Sequence, residues 1–264
     1  MTLVVKVGGA VGNSLAPVVS DLAKRKDFVL VHGGSKEVDQ LGVALGRPPE
    51  YYTSPSGVVS RRSDAAHLEV VVLALAGKVQ TEIVAEFAKQ GVRAVGLSGV
   101  DDRLLLARRK EGARAVVDGH TVRLADDLSG SVESVNDGLL RLLLHAGIAP
   151  VVGPPAVTAS GEVVNVDADR VAARIAVALG AETLLLLTNV PGLLRDPDDP
   201  ESLIPHVGRE EFEESLGFAR GRMRKKLLAA REAREGGVPR VVIAPSAGPA
   251  PVEQALQGHG TVFE

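Results

Sequence analysis

The feature that most constrains this fold is an alternation of short, β-branched apolar runs with longer segments of helical periodicity. Leu3–Val7 is such a run, and residues 28–31 and 183–187 are two more. Strands that alternate with helices in this way pair mainly in parallel, because each crossover helix returns the chain to the same end of the sheet. The sequence therefore predicts an α/β fold with a largely parallel central sheet.

The same patterns set the expected order of elements. Strands are predicted at 3–7, 28–31, 93–97, 148–152, 183–187 and 240–244, and helices at 14–26, 36–45, 64–90, 134–146, 167–179 and 221–236. Ser134 is the expected cap of its helix, and Pro154-Pro155 should end the strand before them. Residues 47–57 and 195–202 are predicted loops. Residues 104–124 break at Asp118-Gly119, which predicts an antiparallel hairpin inserted into the sheet.

Composition excludes several kinds of protein. The 264 residues fit one large domain, or two lobes joined at a hinge near 165–169. The absence of cysteine excludes disulfides and thiolate sites, and the six histidines lack zinc-site spacing. Few aromatic residues and a net charge of −3 disfavour nucleic acid and anionic membranes. With no signal peptide and no uncharged run of about 18 residues, we expect a cytoplasmic protein.

Three predicted strands are followed by glycine turns: Gly8-Gly9, Gly33-Gly34 and Ser98-Gly99. Ligands of open α/β sheets collect at the carboxyl ends of the strands. Glycine there lets backbone N–H groups approach an anion without interference from a Cβ atom. We therefore expect a shared anion site, although glycine after a strand is also ordinary turn chemistry. The spacing matches neither a dinucleotide fingerprint nor a P-loop.

Lys6 lies inside an otherwise apolar strand, two residues before the first glycine turn. Burying an ammonium group is costly without a negative partner, so it indicates either a phosphate-binding point charge or an edge strand facing solvent. A second cationic cluster, 221–226, opens a predicted helix, where it opposes the helix dipole unless an anion binds nearby. Asp169 could accept from two lysines or act only as a first-turn carboxylate, and Asp167 is a candidate helix cap.

These pieces belong to a longer series of motifs. In chain order they are KVGG at 6–9, VHGG at 31–34, RRSD at 61–64, GLSG at 96–99, SVN at 134–136, NVDAD at 165–169, TNVPG at 188–192 and GRMRKK at 221–226. Each is weak alone, but the ordered set resembles the amino-acid kinase family, and closely its acetylglutamate kinase branch. The resemblance covers the chain almost end to end.

The resemblance implies an open three-layer αβα sandwich, with residues 1–166 forming an acyl-substrate lobe and 167–264 an ATP lobe. It also implies phosphoryl transfer from MgATP to a side-chain carboxylate, with Mg²⁺ arriving on ATP rather than on protein side chains. By position, Lys6 and Lys226 would stabilise the transferred group and Asp169 would orient them. The implied substrate-binding residues are Gly33, Gly34, Ser35, Arg61 and Asn165. The implied nucleotide-binding residues are Gly8, Gly9, Thr188, Asn189, Gly192 and Lys226.

Three departures point to a particular substrate class. Ser35 replaces a third glycine, Asn189 stands where many members have aspartate, and the loop 53–61 is long and ends in Ser-Arg. These features resemble the branch that phosphorylates 2-aminoadipate attached through its amino group to a small acidic carrier protein in lysine biosynthesis. Some relatives also accept carrier-linked glutamate in arginine biosynthesis. Free N-acetylglutamate is the alternative acceptor, and a non-catalytic amino-acid sensor is the alternative of another class.

An acidic carrier would need a basic surface on the kinase. The candidate residues are Arg47, Arg61, Arg62, Arg108, Arg109 and Lys110, each of which could equally be an ordinary solvated side chain. The chain starts directly at its first strand, without the N-terminal helix of arginine-inhibited hexameric relatives. The resemblance therefore implies a homodimer.

Overall fold

The computed structural model describes residues 2–55, 59–111, 114–117 and 120–264. The strands are β1 Leu3–Val7, β2 Phe28–His32, β3 Tyr51–Thr53, β4 Val59–Arg61, β5 Ala94–Gly99, β6 Leu105–Arg109, β7 Arg114–Val117, β8 His120–Arg123, β9 Gly130–Val135, β10 Ala149–Val157, β11 Val163–Asn165, β12 Thr183–Thr188, β13 His206–Val207, β14 Arg240–Pro245 and β15 Thr261–Phe263. The helices are α1 Ala16–Leu22, α2 Ser35–Ala44, α3 Ala65–Val72, α4 Gln80–Lys89, α5 Asp137–His145, α6 Ala168–Leu179, α7 Phe212–Phe218, α8 Gly221–Glu235 and α9 Pro251–Leu256. A π-helical segment, Leu73–Val79, joins α3 to α4.

Most of the strands form one eleven-stranded sheet, in the order β13-β15-β14-β12-β1-β2-β10-β6-β9, with β5 and β11 also paired to β10. Strand β1 is central, and it pairs in parallel with β12 on one side and β2 on the other. Because parallel neighbours end at the same edge, the carboxyl ends of β12, β1 and β2 meet there. The predicted mainly parallel α/β sandwich is confirmed, and one sheet runs through both predicted lobes.

Alternation along β1 decides which way Lys6 points. Leu3, Val5 and Val7 pack into one apolar cluster with α1, α3, α4 and α9. Val4 packs into the other, with α5, α6 and α8. Successive side chains of a strand face opposite sides of the sheet, so Lys6 shares the Val4 face and points towards α6 and α8. That orientation carries the only charge of β1 into the protein interior.

The helices predicted at 64–90 and 167–179 are present, and each begins at an aspartate cap. The segment predicted at 64–90 is continuously helical through α3, the π-helical segment and α4. Its start is capped by Asp64, whose side chain accepts from the N–H of His67 over 2.9 Å. Helix α6 is capped by Asp167, which accepts from the N–H groups of Asp169 and Arg170. These caps satisfy N–H groups that have no partner within their own helix.

Two boundary predictions around prolines and caps are wrong. Ser134 does not cap a helix but lies in β9, and α5 begins at Asp137. Pro154-Pro155 do not end β10, which continues to Val157. The strand exchanges partners there, from β5 up to Gly153 to β11 from Pro155 onwards. Proline is compatible with a strand where no ladder N–H is required.

The predicted hairpin and one predicted loop need correction. Strands β7 and β8 do pair antiparallel, but they form a separate two-stranded sheet, and the antiparallel partner of β6 in the main sheet is β9. The Asp118-Gly119 turn itself lies outside the described residues. The loop predicted at 47–57 contains β3, which pairs with β4. Strands of three residues are too short to show a period in the sequence.

The sequence did not reveal the short elements that complete the carboxyl-terminal side. These elements are β11, β13, β15, α7 and α9. Strand β15 is buried and lies between β14, to which it runs antiparallel, and β13, which forms that edge of the sheet. None of the helices in the described ranges is long and apolar enough to cross a membrane.

Candidate active site

A cavity of about 410 Å³ opens at the carboxyl ends of β12, β1 and β2. The turns after these strands form its floor, and the starts of α6 and α8 form the opposite wall. Its lining therefore combines the first two glycine turns with Lys6 and with the cationic start of α8. The cavity is lined by residues that include Lys6, Gly8, Gly9, Gly33, Gly34, Ser35, Asp169, Thr188, Asn189, Gly192 and Lys226.

Asp169 lies between the two lysines. Its Oδ1 is 2.7 Å from Nζ of Lys6, and its Oδ1 and Oδ2 are each 3.0 Å from Nζ of Lys226. All three side chains are less than a tenth exposed. Two ammonium groups against one carboxylate leave a formal charge of +1 in a place where water screens it poorly. The centre is therefore suited to an anion.

Burial and neighbouring charges shift the pKa values of Asp169 and Lys226. Burial would raise the pKa of Asp169, but the charges and hydrogen bonds of Lys226 and Lys6 outweigh it and hold that pKa well below its usual range. Burial lowers the pKa of Lys226 to about 8, since the attraction of Asp169 only partly offsets lost hydration and the repulsion from Lys6. An anion bound beside Lys226 would favour its charged form.

The first two glycine turns touch each other through their backbones. A Cβ atom on Gly9 would lie 2.2 Å from Cα of Gly34, and one on Gly34 would lie 2.3 Å from Cδ2 of Leu75. The clash at Gly9 is with main chain, so that position requires glycine, whereas a side chain at Gly34 would have to displace the end of Leu75. A Cβ on Gly33 would be 4.0 Å from Nζ of Lys6. The turns thus bring main chain close to the buried charges.

The amides of the first turn differ in availability. Gly8 donates its N–H to the carbonyl of Leu187 over 3.1 Å. The N–H of Gly9 donates to no other group among the described residues, while its carbonyl accepts from Ser35 Oγ and from the N–H of Lys36. Gly9 is therefore the residue of this pair whose amide can donate to a ligand.

The turn after β12 closes the cavity on the other side. Thr188 is buried, and Asn189 donates from Nδ2 to the carbonyl of Val11 over 3.1 Å, which links this turn to the first glycine turn. A Cβ on Gly192 would lie 2.6 Å from Oγ1 of Thr261. Beyond this turn the wall is apolar, formed by Val190, Leu193, Leu194, Pro197, Phe218 and Met223.

The start of α8 adds further positive charge. Gly221 has φ +51°, a conformation that favours glycine, and it turns the chain into the helix. Arg220, Arg222 and Lys225 line the cavity with Lys226. The side chain of Lys225 is 4.0 Å from Asp167. Cations at a helix start gain stability only from a neighbouring anion, so the arrangement fits a phosphate-rich ligand.

Sequence reasoning missed Asn13 and Ser246. Asn13 lines the cavity and donates from Nδ2 to the carbonyl of Ala10. Ser246 is fully buried directly after β14, donates from Oγ to Asn13 Oδ1 over 3.0 Å, and accepts from the N–H of Ser14. The available signal was position alone, since Ser246 follows β14 as Gly8 follows β1.

The third glycine turn does not join the site, so the predicted three-turn anion site is wrong in that respect. Gly99 ends β5, which is separated from β2 by β10 in the sheet. Asp101 accepts there from the N–H and Oγ of Ser98 over 2.6 and 2.9 Å. A carboxylate already occupies the donors of this turn, and neither of its residues lines the cavity.

Of the predicted substrate-binding residues, Gly33, Gly34 and Ser35 line the cavity, and Arg61 and Asn165 do not. Arg61 is 2.5 Å from Oδ1 of Asp39 and donates to the hydroxyl of Tyr51 over 3.3 Å. Asn165 donates from Nδ2 to Oγ of Ser63 over 3.3 Å. Ser35 and Asp39 lie one turn apart on α2, so Arg61 is held one helical turn from the cavity.

The candidate basic surface is divided by the fold. Arg47 pairs with Glu69, Arg62 with Glu50 and Asp126, Arg108 with Glu133 and Arg109 with Glu162. The last two arginines line a groove of about 550 Å³ with Lys110 and Arg114, beside Tyr52 and Ser54. Among the described residues that line this groove, four are cationic and one, Glu111, carries a carboxylate. Arg47 and Arg62 border a different, smaller cavity.

The described residues contain no group of three or more carboxylate or imidazole side chains that could hold a metal ion. Of the described residues that line the cavity, only Asp167 and Asp169 carry a carboxylate, and Asp167 already caps α6. A divalent ion at this site would therefore be coordinated chiefly by a ligand's own oxygens and water, which is the usual arrangement for Mg²⁺ on a nucleotide.

Comparison with known sequences agrees with this geometry. The model of the amino acid kinase family matches residues 1–245. A LysW-aminoadipate kinase of Deinococcus radiodurans is 47% identical over 264 residues, covering 98% of this chain and 90% of the relative. An acetylglutamate kinase of Methanopyrus kandleri is 42% identical over 262 residues, with 98% of each covered.

A solved structure shows the same architecture. An N-acetylglutamate synthase of Neisseria gonorrhoeae, complexed with coenzyme A and N-acetylglutamate, matches with a TM-score of 0.78 and 28% identity. The match covers 99% of this chain and 59% of that one, so this chain spans little more than half of the synthase. The family match, the relatives and the paired lysines agree: this chain is a phosphotransferase of the amino acid kinase family.

Proposed function

We propose that this protein transfers the γ-phosphoryl group of ATP to the side-chain carboxylate of 2-aminoadipate whose amino group is attached to a small acidic carrier protein. The product is an acyl phosphate, as an intermediate of lysine biosynthesis, and carrier-linked glutamate is a second candidate acceptor. The observation that carries the proposal is Asp169 held between Lys6 and Lys226 at the glycine turns. The name and near full-length match of the Deinococcus radiodurans relative support the acceptor.

In this proposal an oxygen of the acceptor carboxylate attacks the γ-phosphorus, and the bond from that phosphorus to the β–γ bridging oxygen breaks as ADP leaves. A carboxylate is already a nucleophile, so no general base is required. Lys6 and Lys226 stabilise the charge on the transferred group, and Asp169 fixes both ammonium groups at 2.7–3.0 Å. Catalysis then rests on positioning and charge.

The nucleotide is proposed to lie over the turns after β1 and β12, in the lobe formed mainly by residues 167–264. Gly8 and Gly9 lie next to the phosphates, and the Gly9 amide, which has no acceptor among the described residues, is the donor. Thr188, Asn189 and Gly192 border the nucleotide, whose base packs on the apolar wall beyond them. Mg²⁺ binds with ATP, on phosphate oxygens and water, and neutralises charge that develops on the phosphates.

The acceptor is proposed to lie on the other side, in the lobe of residues 1–166. Gly33, Gly34 and Ser35 hold the reacting carboxylate end. The α-carboxylate of the acceptor takes the place of Asp39 on Arg61, because both are carboxylates that fit the planar guanidinium. Asn165 contributes an amide at the junction of the two lobes.

The carrier is proposed to dock at the basic groove of Arg108, Arg109, Lys110 and Arg114. No ion pair within the described ranges joins Lys110 or Arg114 to a carboxylate, so both are available to an acidic partner. The surface pair of Arg108 with Glu133 is exposed enough to exchange, whereas Arg109 is held by Glu162 and by the carbonyls of Ala125 and Asp127. The groove includes Tyr52 of β3, which connects it to the hairpin that carries Arg61.

N-acetylglutamate kinase is the second candidate function, and the Methanopyrus kandleri relative favours it at 42% identity. The two candidates share the phosphoryl-transfer centre and differ only in the acceptor. A sensor without catalysis is less well supported, because binding alone would not require two lysines arranged about one aspartate.

The apolar edge strand β5, whose residues 94–98 are half-buried, supports the further proposal of a homodimer.

The proposal is tested by one side-by-side assay of acyl-hydroxamate formation with hydroxylamine. The acceptors are carrier-linked aminoadipate, carrier-linked glutamate, N-acetylaminoadipate and N-acetylglutamate. We expect the largest kcat/KM for carrier-linked aminoadipate. Efficient use of N-acetylglutamate with none of the carrier-linked acceptors would establish the second candidate instead. ATP binding without hydroxamate from any acceptor would favour the sensor.

A further inference from the structure

A chain of buried polar groups links the second glycine turn to strand β5 through the side chains of His32 and Gln80. His32 ends β2 directly before Gly33 and is 1% exposed. Gln80 opens α4 and is also buried. Neither side chain lines the catalytic cavity. Burial of an imidazole and an amide is costly unless their hydrogen bonds are made, so their arrangement needs a physical reason.

The amide of Gln80 has one orientation that satisfies its neighbours. In it, Oε1 accepts from the N–H of Leu97 over 2.8 Å, and Nε2 donates to the Leu97 carbonyl over 3.1 Å. The end of the amide that reaches this carbonyl is also the end that lies 3.3 Å from Nε2 of His32. An N–H group therefore faces the imidazole, and Nε2 of His32 acts as an acceptor.

That assignment fixes the tautomer of His32. Its Nδ1 lies 3.3 Å from the carbonyl oxygen of Gly33, which can only accept. The proton is therefore on Nδ1, and the ring is neutral. Burial lowers the pKa of His32, and the nearby charge of Lys6 acts in the same direction. A small cavity that His32 borders is also lined by Lys36, Glu37 and Glu82.

Two glycines make room for this arrangement. A Cβ on Gly96 would lie 2.6 Å from Cγ of Gln80. A Cβ on Gly153 would lie 3.0 Å from the Gln80 amide and 3.2 Å from Nε2 of His32. The adjacent strands β5 and β10 thus leave a shared space that the amide and imidazole fill. Every polar atom of both side chains then has a partner.

We infer that His32 and Gln80 are positioning residues for the acceptor end of the active site. Neutral His32 holds the Gly33 carbonyl through Nδ1–H, and Gln80 ties the imidazole to the main chain of β5. The pair thereby fixes the direction of the Gly33-Gly34 backbone beside Lys6 and Ser35. The kinetic consequence rests on the proposed function, whereas the protonation pattern does not.

The protonation pattern is measured on the wild-type protein by long-range ¹H–¹⁵N NMR of its histidines, with His32→Gln used to assign the signal. We expect His32 to show a protonated Nδ1 and an unprotonated Nε2 that stay unchanged from pH 8 to pH 5.5. A proton on Nε2, or titration in that range, would overturn the inference whatever the substrate proves to be.

The positioning role is measured by kinetics of Gln80→Met, with Gln90→Met as the matched control because Gln90 is exposed at the end of the same helix. We expect KM for the acceptor to rise about tenfold in Gln80→Met, with KM for ATP within about twofold and the control unchanged. An unaltered acceptor KM in folded Gln80→Met would overturn the role.

Gln80→Glu supplies a readout that a purely structural role would not produce. The carboxylate of Gln80→Glu cannot donate a hydrogen bond to Nε2 of His32. At lower pH a proton on either the carboxyl group or the imidazole restores the hydrogen bond between these two side chains. We expect the activity of Gln80→Glu relative to wild type to rise as the pH falls from 8.5 to 6, while that of Gln80→Met stays constant. Parallel profiles would contradict the inference. Wild-type protein inactive on the carrier-linked acceptor would instead refute the proposed function.

Discussion

The phosphoryl-transfer centre and the basic groove both use charged side chains, but in opposite environments. Lys6, Asp169 and Lys226 are buried and joined by contacts of 2.7–3.0 Å. In the groove, Arg108 is 77% exposed and its partner Glu133 is 50% exposed. Buried charges are screened little and have one geometry, whereas exposed pairs exchange with water and salt.

This difference assigns different tasks to the two regions. A fixed, dry cluster with excess positive charge stabilises a phosphoryl group whatever the acceptor. The exposed, hydrated side chains of the groove attract and orient a charged partner, and they contribute mainly to its rate of association with the kinase. Turnover therefore belongs to the centre, and selection of the carrier belongs to the groove and the neighbouring hairpin.

The largest effect is expected on stability from Asp169→Asn, which leaves two buried ammonium groups without a carboxylate. The free energy of unfolding should fall by about 3–5 kcal/mol, as for other broken buried ion pairs. Urea unfolding followed by circular dichroism measures it. Asp167→Asn is the matched control, since asparagine also caps helices and should change stability little. Equal stability of the two variants would show that the centre is not a buried charge cluster.

Lys6→Ala should leave Asp169 paired with Lys226 and therefore act on catalysis more than on folding. We expect kcat to fall by about 100- to 1000-fold, equivalent to about 2.7–4 kcal/mol of transition-state stabilisation. Both KM values should change by much less. Steady-state kinetics measure this, with Lys24→Ala as the exposed control. Wild-type turnover in Lys6→Ala would remove Lys6 from the mechanism.

Arg61→Gln should weaken binding of the acceptor, because an arginine–carboxylate pair would be lost. We expect KM for the acceptor to rise about 10- to 100-fold, while KM for ATP is unchanged. The exposed Arg93→Gln serves as control. If ATP binding weakened equally, Arg61 would be acting through the fold rather than on the acceptor.

The pH dependence of kcat/KM for ATP should show the titration of Lys226. Its pKa of about 8 means that kcat/KM for ATP should fall about tenfold per unit above that pH, because the ammonium loses its proton. Between about pH 8 and its ordinary pKa of 10.5, the unfolded lysine still binds the proton, so this group's contribution to stability rises with pH. Lys226→Arg should abolish this alkaline fall in activity, since arginine stays charged. A fall that persists in Lys226→Arg would assign it to another group.

The smallest effect is expected from charge reversal in the groove. Lys110→Glu with Arg114→Glu should raise KM for the carrier-linked acceptor several-fold at low salt, and less at physiological salt where exposed charges are screened. Lys24→Glu with Lys26→Glu is the control, because both lysines are exposed and the pair changes the net charge by the same amount. A groove variant that binds the carrier normally at low salt would place the docking surface elsewhere.

The same contrast explains what could be predicted from the sequence. Lys6 stands out because a charge in an apolar strand needs a partner, and the alternation of β1 directs it towards Asp169 and Lys226. Gly9 and Gly34 stand out because turns after parallel strands meet. Each of these features follows from a local rule that the neighbouring elements do not alter.

The surface regions follow no such rule. Arg61 pairs with Asp39 and does not enter the catalytic cavity. Arg47 and Arg62 border a different cavity. The directions of these side chains are set by their ion-pair partners on α2, α3 and the loops. The positions of Asn13 and Ser246 depend on which strand ends adjoin, which the sequence does not state. His32 and Gln80 are 48 residues apart and meet only through the fold.

The measurement that tests the separation most directly is the ratio of kcat/KM for carrier-linked aminoadipate to that for N-acetylaminoadipate. It is determined in wild type, Lys6→Ala and the Lys110→Glu/Arg114→Glu variant. We expect Lys6→Ala to lower both values equally and to keep the ratio, while the groove variant lowers only the carrier-linked value. A ratio that changes with Lys6, or a groove variant that impairs both acceptors equally, would contradict it.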